Sequence, residues 1–260
     1  MRLTKTAVGV IFLSAIFNDS YAAYDWSLDS LSVSGGAVFS DDFNDGDRSS
    51  LPTSALIDVI GTTTEAGGFL RLTDVDGTGP SFFFPSDFVM DQANLASPFI
   101  DTNDVGTIVQ ANFMPDLAAL QAGPSGVGYG VAVTGTTDFV GFTSFASLGV
   151  YSDGFGNAIA VFQNSALDVI DFAFVPTVTG NIVLELNATL QSDSVSARYS
   201  TDGGANFFDL NAGGPITVTD HGIVSVFGYG AAIVPVPAAL PLLASALMVL
   251  AGVRSTRRKT

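Results

Sequence analysis

The densest group of side chains that could do chemistry is the acidic segment of residues 41–47, which reads Asp-Asp-Phe-Asn-Asp-Gly-Asp. Ca²⁺ takes about six to eight oxygen ligands, and carboxylates and amides on a glycine-containing turn supply them. The segment predicts a Ca²⁺ site with Asp42, Asn44, Asp45 and Asp47 as ligands. The alternative is an acidic turn that stays solvated. An EF-hand is excluded because, counted from Asp42, glycine falls at the fifth position and no glutamate stands at the twelfth.

The sequence lacks the spacing of the common catalytic groups. A glycosidase needs two neighbouring carboxylates, but neither Glu65 nor Glu185 has an acid two or four positions away. His221 is the single histidine, and no Gly-x-Ser-x-Gly segment is present. The absence of cysteine excludes disulfides, thiolate metal sites and cysteine nucleophiles. We therefore predict a protein without enzymatic activity or catalytic residues, with a glycosidase as the least favoured function.

The charge is distributed unevenly along the chain. Six of the nine basic residues lie near the two ends, whereas only Asp19 of the 25 acids does. The central segment therefore carries 24 acids against three bases, namely Arg48, Arg71 and Arg198. Such a surface repels nucleic acid and anionic lipid, so neither is an expected partner.

The N-terminal 22 residues have the pattern of a secretory signal peptide. Arg2 and Lys5 precede an apolar stretch at residues 7–17, which is too short to span a membrane. Small residues at positions 20 and 22 fit cleavage after Ala22. We expect export across the inner membrane by the general export machinery.

The C-terminal segment, residues 233–260, joins a proline-containing motif to an apolar run and a basic end. Residues 231–253 form an uncharged run that is long enough to span a membrane as a helix. Prolines in the first part of this run weaken it as a helix. The basic residues that follow would stop transfer and leave the chain terminus in the cytoplasm: Arg254, Arg257, Arg258 and Lys259. A buried C-terminal core helix is the alternative.

This order of motif, apolar run and basic end resembles a PEP-CTERM-type sorting signal, in particular its Val-Pro-Leu-Pro-Ala variety from exported proteins of Gram-negative bacteria. The motif residues here are Val234, Pro235, Val236, Pro237 and Ala238. Val236 departs from the leucine usual in that variety. The resemblance implies recognition by an exosortase-type membrane enzyme, removal of the tail, and delivery to the cell surface or extracellular matrix. A retained transmembrane anchor is the alternative.

The segment between the signals, residues 23–232, shows the pattern of one antiparallel β domain. Apolar residues alternate with polar ones over residues 182–190, predicting a strand with one buried and one solvent-exposed face. Similar short strands are expected at residues 107–113, 128–134 and 158–162, separated by Gly, Asp, Asn and Pro. We predict a single all-β sandwich or jelly roll, with at most one helical turn at residues 116–122.

Two stretches resemble concanavalin-like (legume-lectin and laminin-G-like) sandwiches: residues 39–47 together with 67–73, and residues 196–207. That resemblance implies a carbohydrate-binding module whose partner would be an extracellular polysaccharide. An aromatic ring from Phe82-Phe83-Phe84, or Trp26, could stack on a sugar, although packing in a core is the alternative. A structural or adhesive surface protein is the first function that we expect, and a lectin-like module the second.

Overall fold

The computed structural model describes residues 26–35, 39–47, 49–51, 54–60, 63–72, 88–95, 106–123, 125–134, 145–164, 169–189, 194–218 and 223–231. In these residues, strands form two sheets, and all of the strand pairings are antiparallel. The all-β, antiparallel character predicted from the alternation is confirmed.

The first sheet has the strand order β15-β14-β13-β8-β1-β6-β5, with β16 also on β14 and β2 also on β1. Its strands are β1 (Trp26–Ser34), β2 (Phe39–Asp41), β5 (Thr64–Glu65), β6 (Leu70–Leu72), β8 (Thr107–Phe113), β13 (Ile182–Thr189), β14 (Ser194–Ser200), β15 (Phe208–Asp209) and β16 (Ile216–Thr217).

The second sheet has the order β12-β11-β10-β9-β17-β7-β4-β3. Its strands are β3 (Ser49–Leu51), β4 (Ser54–Ile60), β7 (Phe88–Leu95), β9 (Gly128–Thr134), β10 (Phe145–Ser152), β11 (Ala158–Asn164), β12 (Val169–Phe174) and β17 (Ile223–Ala231).

The main core lies between the two sheets. Phe113 of β8 meets Tyr129 of β9 with ring centroids 4.4 Å apart, and Trp26 of β1 packs on the same tyrosine at 5.2 Å. The Trp26 indole N–H donates to the Tyr229 carbonyl at 3.0 Å, so a buried polar group is satisfied across the sandwich. Trp26 is 1% exposed, which makes it a core residue and contradicts its use as a sugar platform.

The short helix α1 (Leu117–Ala122) joins the sheets between β8 and β9. The Asp116 side chain caps it by accepting a hydrogen bond from the Ala119 N–H at 2.9 Å. Leu120 is buried in the main core and anchors the helix. The single helical turn expected here is confirmed. No helix among the described residues is long and apolar enough to cross a membrane.

Two of the predicted strands, β8 and β9, have the bounds that the alternation gives. Strand β1 was missed because a register shift between Leu28 and Ser30 interrupts its alternation. The prediction for β13 is wrong in one respect: its polar face is not solvent-exposed throughout, since Glu185 is 2% exposed. Neighbouring side chains of β8 and β14 enclose this carboxylate, as described below.

Candidate functional site

The acidic segment sits where two strands share one edge of β1. Strand β6 pairs with residues Trp26–Leu28 of β1, and β2 pairs with residues Leu31–Val33 on the same side. Asp41, at the end of β2, lies opposite Leu31, whose side chain faces the core. Asp41 consequently points toward the interior and is 9% exposed.

Carboxylates organise the turn that follows. Asp41 Oδ1 accepts from the Phe43 N–H at 2.8 Å, and Asp45 Oδ1 accepts from the Asp47 N–H at 2.9 Å. Phe43 has φ of 53° and is 1% exposed, so its ring is buried at the cost of a left-handed backbone. Glu65 Oε1 accepts from the Gly46 N–H at 2.6 Å and ties the turn to β5.

Each of the two anchoring carboxylates keeps one oxygen without a partner. Asp41 Oδ2 and Glu65 Oε2 are buried and form no hydrogen bond. Desolvation raises the pKa of Asp41, and the nearby charges of Glu65, Asp45 and Asp42 raise it further, whereas the Phe43 N–H lowers it. Burial and the neighbouring negative charges therefore disfavour the ionised form of Asp41.

The four ligands predicted from the sequence all lie in this turn, but Asp42, Asn44, Asp45 and Asp47 are exposed. No three acidic or histidine side chains converge on a metal-sized site anywhere in the described ranges. The Ca²⁺ site with those four ligands stays a prediction. Sequence reasoning missed Glu65, because its approach to the turn depends on the pairing of β5 with β6.

A second polar region lies on the outer side of the first sheet, where Glu185 is enclosed. Arg198 of β14 donates through Nε to Glu185 Oε1 at 2.5 Å and through Nη2 to Oε2 at 3.0 Å. Gln110 Nε2 of β8 donates to the same Oε2 at 2.7 Å. The buried carboxylate is therefore neutralised and hydrogen-bonded from both neighbouring strands, and the pair raises the pKa of Arg198.

A small cavity of about 200 Å³ adjoins this pair. Its lining is polar and includes Asn187, Asp209 and Asn211 besides the pair itself. Asn187 Oδ1 is buried there without a hydrogen-bond partner. Arg198 also lies over the Phe207 ring, 4.4 Å from its centroid. The cavity can accept a polar group that donates a hydrogen bond.

The second sheet carries a buried aromatic cluster on the face away from the main core. Tyr229 lies 5.2 Å from the Phe227 ring and 6.2 Å from the Tyr151 ring, between centroids. These rings lie on glycines: a Cβ on Gly130 would come within 2.6 Å of Phe227 Cζ, and a Cβ on Gly149 would clash with the Tyr151 side chain. With exposures of 3–9%, the three rings form a second packed core.

Exposed aromatics occur at the end of this sheet. On β12, the terminal strand of the described part of the sheet, Phe172 is 55% and Phe174 is 58% exposed. The two rings stand edge to face with centroids 6.2 Å apart. Val169 on the same strand is 53% exposed. Together these residues form an apolar strip that we call the β12 strip.

Two hairpin loops use an aspartate and an asparagine four residues apart. Asp202 accepts from the Asn206 N–H at 2.9 Å and from the Asn206 side chain at 2.6 Å, and Asp153 makes the same pair of contacts with Asn157. The Ser200 hydroxyl, which donates to Asp202 Oδ1 at 2.6 Å, and then the Asn206 contacts lower the pKa of Asp202 to about 2. The carboxylates close their own loops, which accounts for the sequence pattern without a bound ion.

Several predicted features fall outside the described residues. They are the cleavage position Ala22, the sorting motif, the basic end, His221 and the triplet Phe82-Phe83-Phe84.

No protein-family model and no curated protein matches the chain. Among solved structures, a GH43_12 protein retrieved from the capybara gut metagenome is 12% identical, with a TM-score of 0.42 over 75% of this chain and 35% of that chain. A protein of unknown function from Shewanella oneidensis MR-1 is 11% identical, with a TM-score of 0.26 over 89% of this chain and 96% of that one. The chain spans about a third of the length of the first. At these scores neither likeness carries an argument about function.

Proposed function

We propose that this protein is an exported, non-enzymatic β-sandwich with a structural or adhesive role at the cell surface or in the extracellular matrix. A C-terminal sorting signal read by an exosortase-type enzyme would deliver it there. The proposed sandwich is of the concanavalin-like or jelly-roll kind. One of the two compact units of the chain, Ala23–Ala232, coincides with the segment to which this proposal assigns the sandwich.

The observation that carries the adhesive role is the β12 strip. Exposed aromatic side chains on a terminal strand of the described part of the sheet favour contact with another chain. The net negative charge of the protein opposes non-specific association through the rest of its surface. The Glu185 contacts support the non-enzymatic part, because Arg198 and Gln110 occupy both oxygens of this buried carboxylate.

Mass spectrometry of the two termini of the native protein tests the sorting. We expect an N-terminus at Ala23 and loss of the basic C-terminal end. Replacing Pro235 and Pro237 together by alanine should leave the tail in place, whereas the matched Pro241→Ala variant, outside the motif, should be processed normally. An intact Arg257-Arg258-Lys259 end in the membrane fraction of wild-type cells would favour a retained anchor instead.

Cell–cell aggregation tests the adhesive role. Cells that carry the double variant Phe172→Ser and Phe174→Ser should aggregate less than wild-type cells at equal surface amounts of the protein. Phe155→Ser is the matched control, because Phe155 is 91% exposed but lies in a loop. Equal aggregation by all three strains would rule out the β12 strip as the adhesive surface.

Carbohydrate binding is the second candidate, and the polar cavity beside Asn187 favours it. Sugar hydroxyls could donate to the unpaired Asn187 Oδ1. A glycan array, run with and without Ca²⁺, should show binding that Asn187→Ala abolishes and Asn157→Ala, a loop control, retains. An array without signal above background would remove this candidate. A glycosidase remains third, and no contact in the described residues favours it.

A further inference from the structure

The corner between β2, β5 and β6 holds two carboxylates that face the interior side of the first sheet. Asp41 lies opposite Leu31, and Glu65 lies opposite Leu70, and both of these leucines belong to the main core. Since β2 and β6 follow one another along the same edge of β1, the end of β2 and the start of β6 meet near Asp41. Tertiary pairing thus joins acids that are far apart in sequence.

Both carboxylates are anchored by one oxygen and unsatisfied at the other. Asp41 Oδ1 and Glu65 Oε1 accept from the Phe43 and Gly46 N–H groups, while Asp41 Oδ2 and Glu65 Oε2 are buried without any partner. A buried ionised oxygen that lacks a partner is strongly destabilising. Native proteins compensate such groups with a cation or a donor, and none of the described residues forms a hydrogen bond with either oxygen.

The turn brings further oxygen ligands to the same corner. Asn44 Oδ1 lies over the β5–β6 turn, where a Cβ on Gly68 would be only 2.7 Å away. The set consists of hard oxygens from two carboxylates, an amide and a flexible acidic turn, which suits Ca²⁺.

We infer that this corner binds one Ca²⁺ between Asp41 Oδ2 and Glu65 Oε2, with Asn44 and backbone oxygens of the turn completing the shell. This ligand set differs from the one that the sequence predicts, because the two central ligands are Asp41 and Glu65 rather than Asp42 and Asp47. The ion clamps the 41–47 turn onto β5. It acts independently of the proposed adhesive role, so either can fail alone.

The test uses the purified protein after EDTA treatment and dialysis, with radiolabelled Ca²⁺ in equilibrium dialysis and thermal unfolding in parallel. Wild-type protein should bind one Ca²⁺ per chain. At roughly a hundredfold excess over Kd its Tm should rise by about 5–10 °C. The same concentration of Mg²⁺ should raise the Tm less, because Mg²⁺ dehydrates reluctantly and demands octahedral geometry.

The conservative variants Asp41→Asn and Glu65→Gln keep the oxygens that accept from the turn backbone, so they should fold. Each should weaken Ca²⁺ binding by at least tenfold and lose the Tm response. In EDTA, Asp41→Asn should melt at or above the wild-type temperature, since the unpaired buried charge is gone. A merely structural aspartate would instead give a lower Tm with and without Ca²⁺.

Asp209→Asn is the matched control, because it removes an equal charge from an exposed residue of β15, outside this corner. It should bind Ca²⁺ as the wild type does. Absence of bound Ca²⁺ in the wild-type protein, unchanged Kd in Asp41→Asn, or an equal response to Mg²⁺ would overturn the inference. Loss of binding confined to Asp42→Asn and Asp47→Asn would also overturn it and restore the ligand set predicted from the sequence.

Discussion

The Glu185–Arg198 pair gives a sharp stability prediction, because its two members differ in burial. The Glu185 side chain is 3% exposed, whereas that of Arg198 is 43% exposed. Arg198→Met removes the cation and keeps much of the apolar stem. It leaves a buried carboxylate with Gln110 as its remaining donor among the contacts described above. Glu185→Gln instead removes the buried charge and leaves an arginine that can turn toward water.

The expected loss in the free energy of unfolding lies between the values for a buried and for an exposed ion pair. Breaking a fully buried ion pair costs about 3–5 kcal/mol, whereas an exposed pair contributes about 0–1 kcal/mol. With one partner buried and the other half exposed, we expect Arg198→Met to lower the free energy of unfolding by about 2 kcal/mol. Loss of the contact with Phe207 adds about 0.5 kcal/mol. Glu185→Gln should cost about 1 kcal/mol.

The free energy of unfolding can be measured by urea denaturation at pH 7, with Trp26 as the fluorescent probe. Trp26 is the only tryptophan and is 1% exposed, so its emission reports on the main core. In thermal unfolding, about 2 kcal/mol corresponds to a Tm that is lower by about 4–8 °C in a domain of this size. The double variant should be about as stable as Glu185→Gln alone, because the two residues act as a unit.

The comparison of the stability losses of the two single variants tests this prediction. A loss in Glu185→Gln that equals or exceeds the loss in Arg198→Met would refute the asymmetry, since it would mean that the unpaired carboxylate is well solvated. Strict additivity in the double variant would refute the coupling.

Three further predictions concern other parts of the sandwich. Gly130→Ala should cost about 2–3 kcal/mol in urea denaturation, since its Cβ would lie 2.5 Å from a backbone oxygen, whereas Gly156→Ala, with open space around it, should cost about 1 kcal/mol. Trp26→Phe should cost about 2–3 kcal/mol by circular dichroism, because it removes the indole hydrogen bond to the Tyr229 carbonyl and also core volume. Asp202→Ala should be less stable than wild type at pH 7. Because the pKa of Asp202 is lowered to about 2, its contribution is complete above about pH 4 and is lost as the pH falls toward 2.

Each of these predictions has a contrary outcome. Equal losses for the two glycine variants would mean that the sheet relaxes around an added methyl group. A Trp26→Phe protein as stable as wild type would remove the indole hydrogen bond from the list of stabilising contacts. A deficit in Asp202→Ala that persists at pH 2 would show that the ionised carboxylate is not its source.

The sequence by itself determined the fold class and much of the strand pattern. A period of two, short apolar runs and Gly-Asp-Asn turns are local properties, so strands such as β8 and β9 follow from them with their bounds. The one-turn helix at Asp116 and the loop at Asp202 follow in the same way, because caps and turns are closed by residues within four positions. The two terminal signals, which stay predictions, rest on order and composition in the same way.

Tertiary structure decided which polar groups are buried. The alternation assigned Glu185 to a solvent-exposed face, and only the pairing of β13 with β8 and β14 encloses it between Gln110 and Arg198. The acidic segment suggested ligands by proximity in sequence, but the buried carboxylate of this segment is Asp41, and the Glu65 side chain reaches the turn from β5. Local patterns determine where strands form, whereas the desolvation of a charge depends on neighbours that only the sheet order brings together.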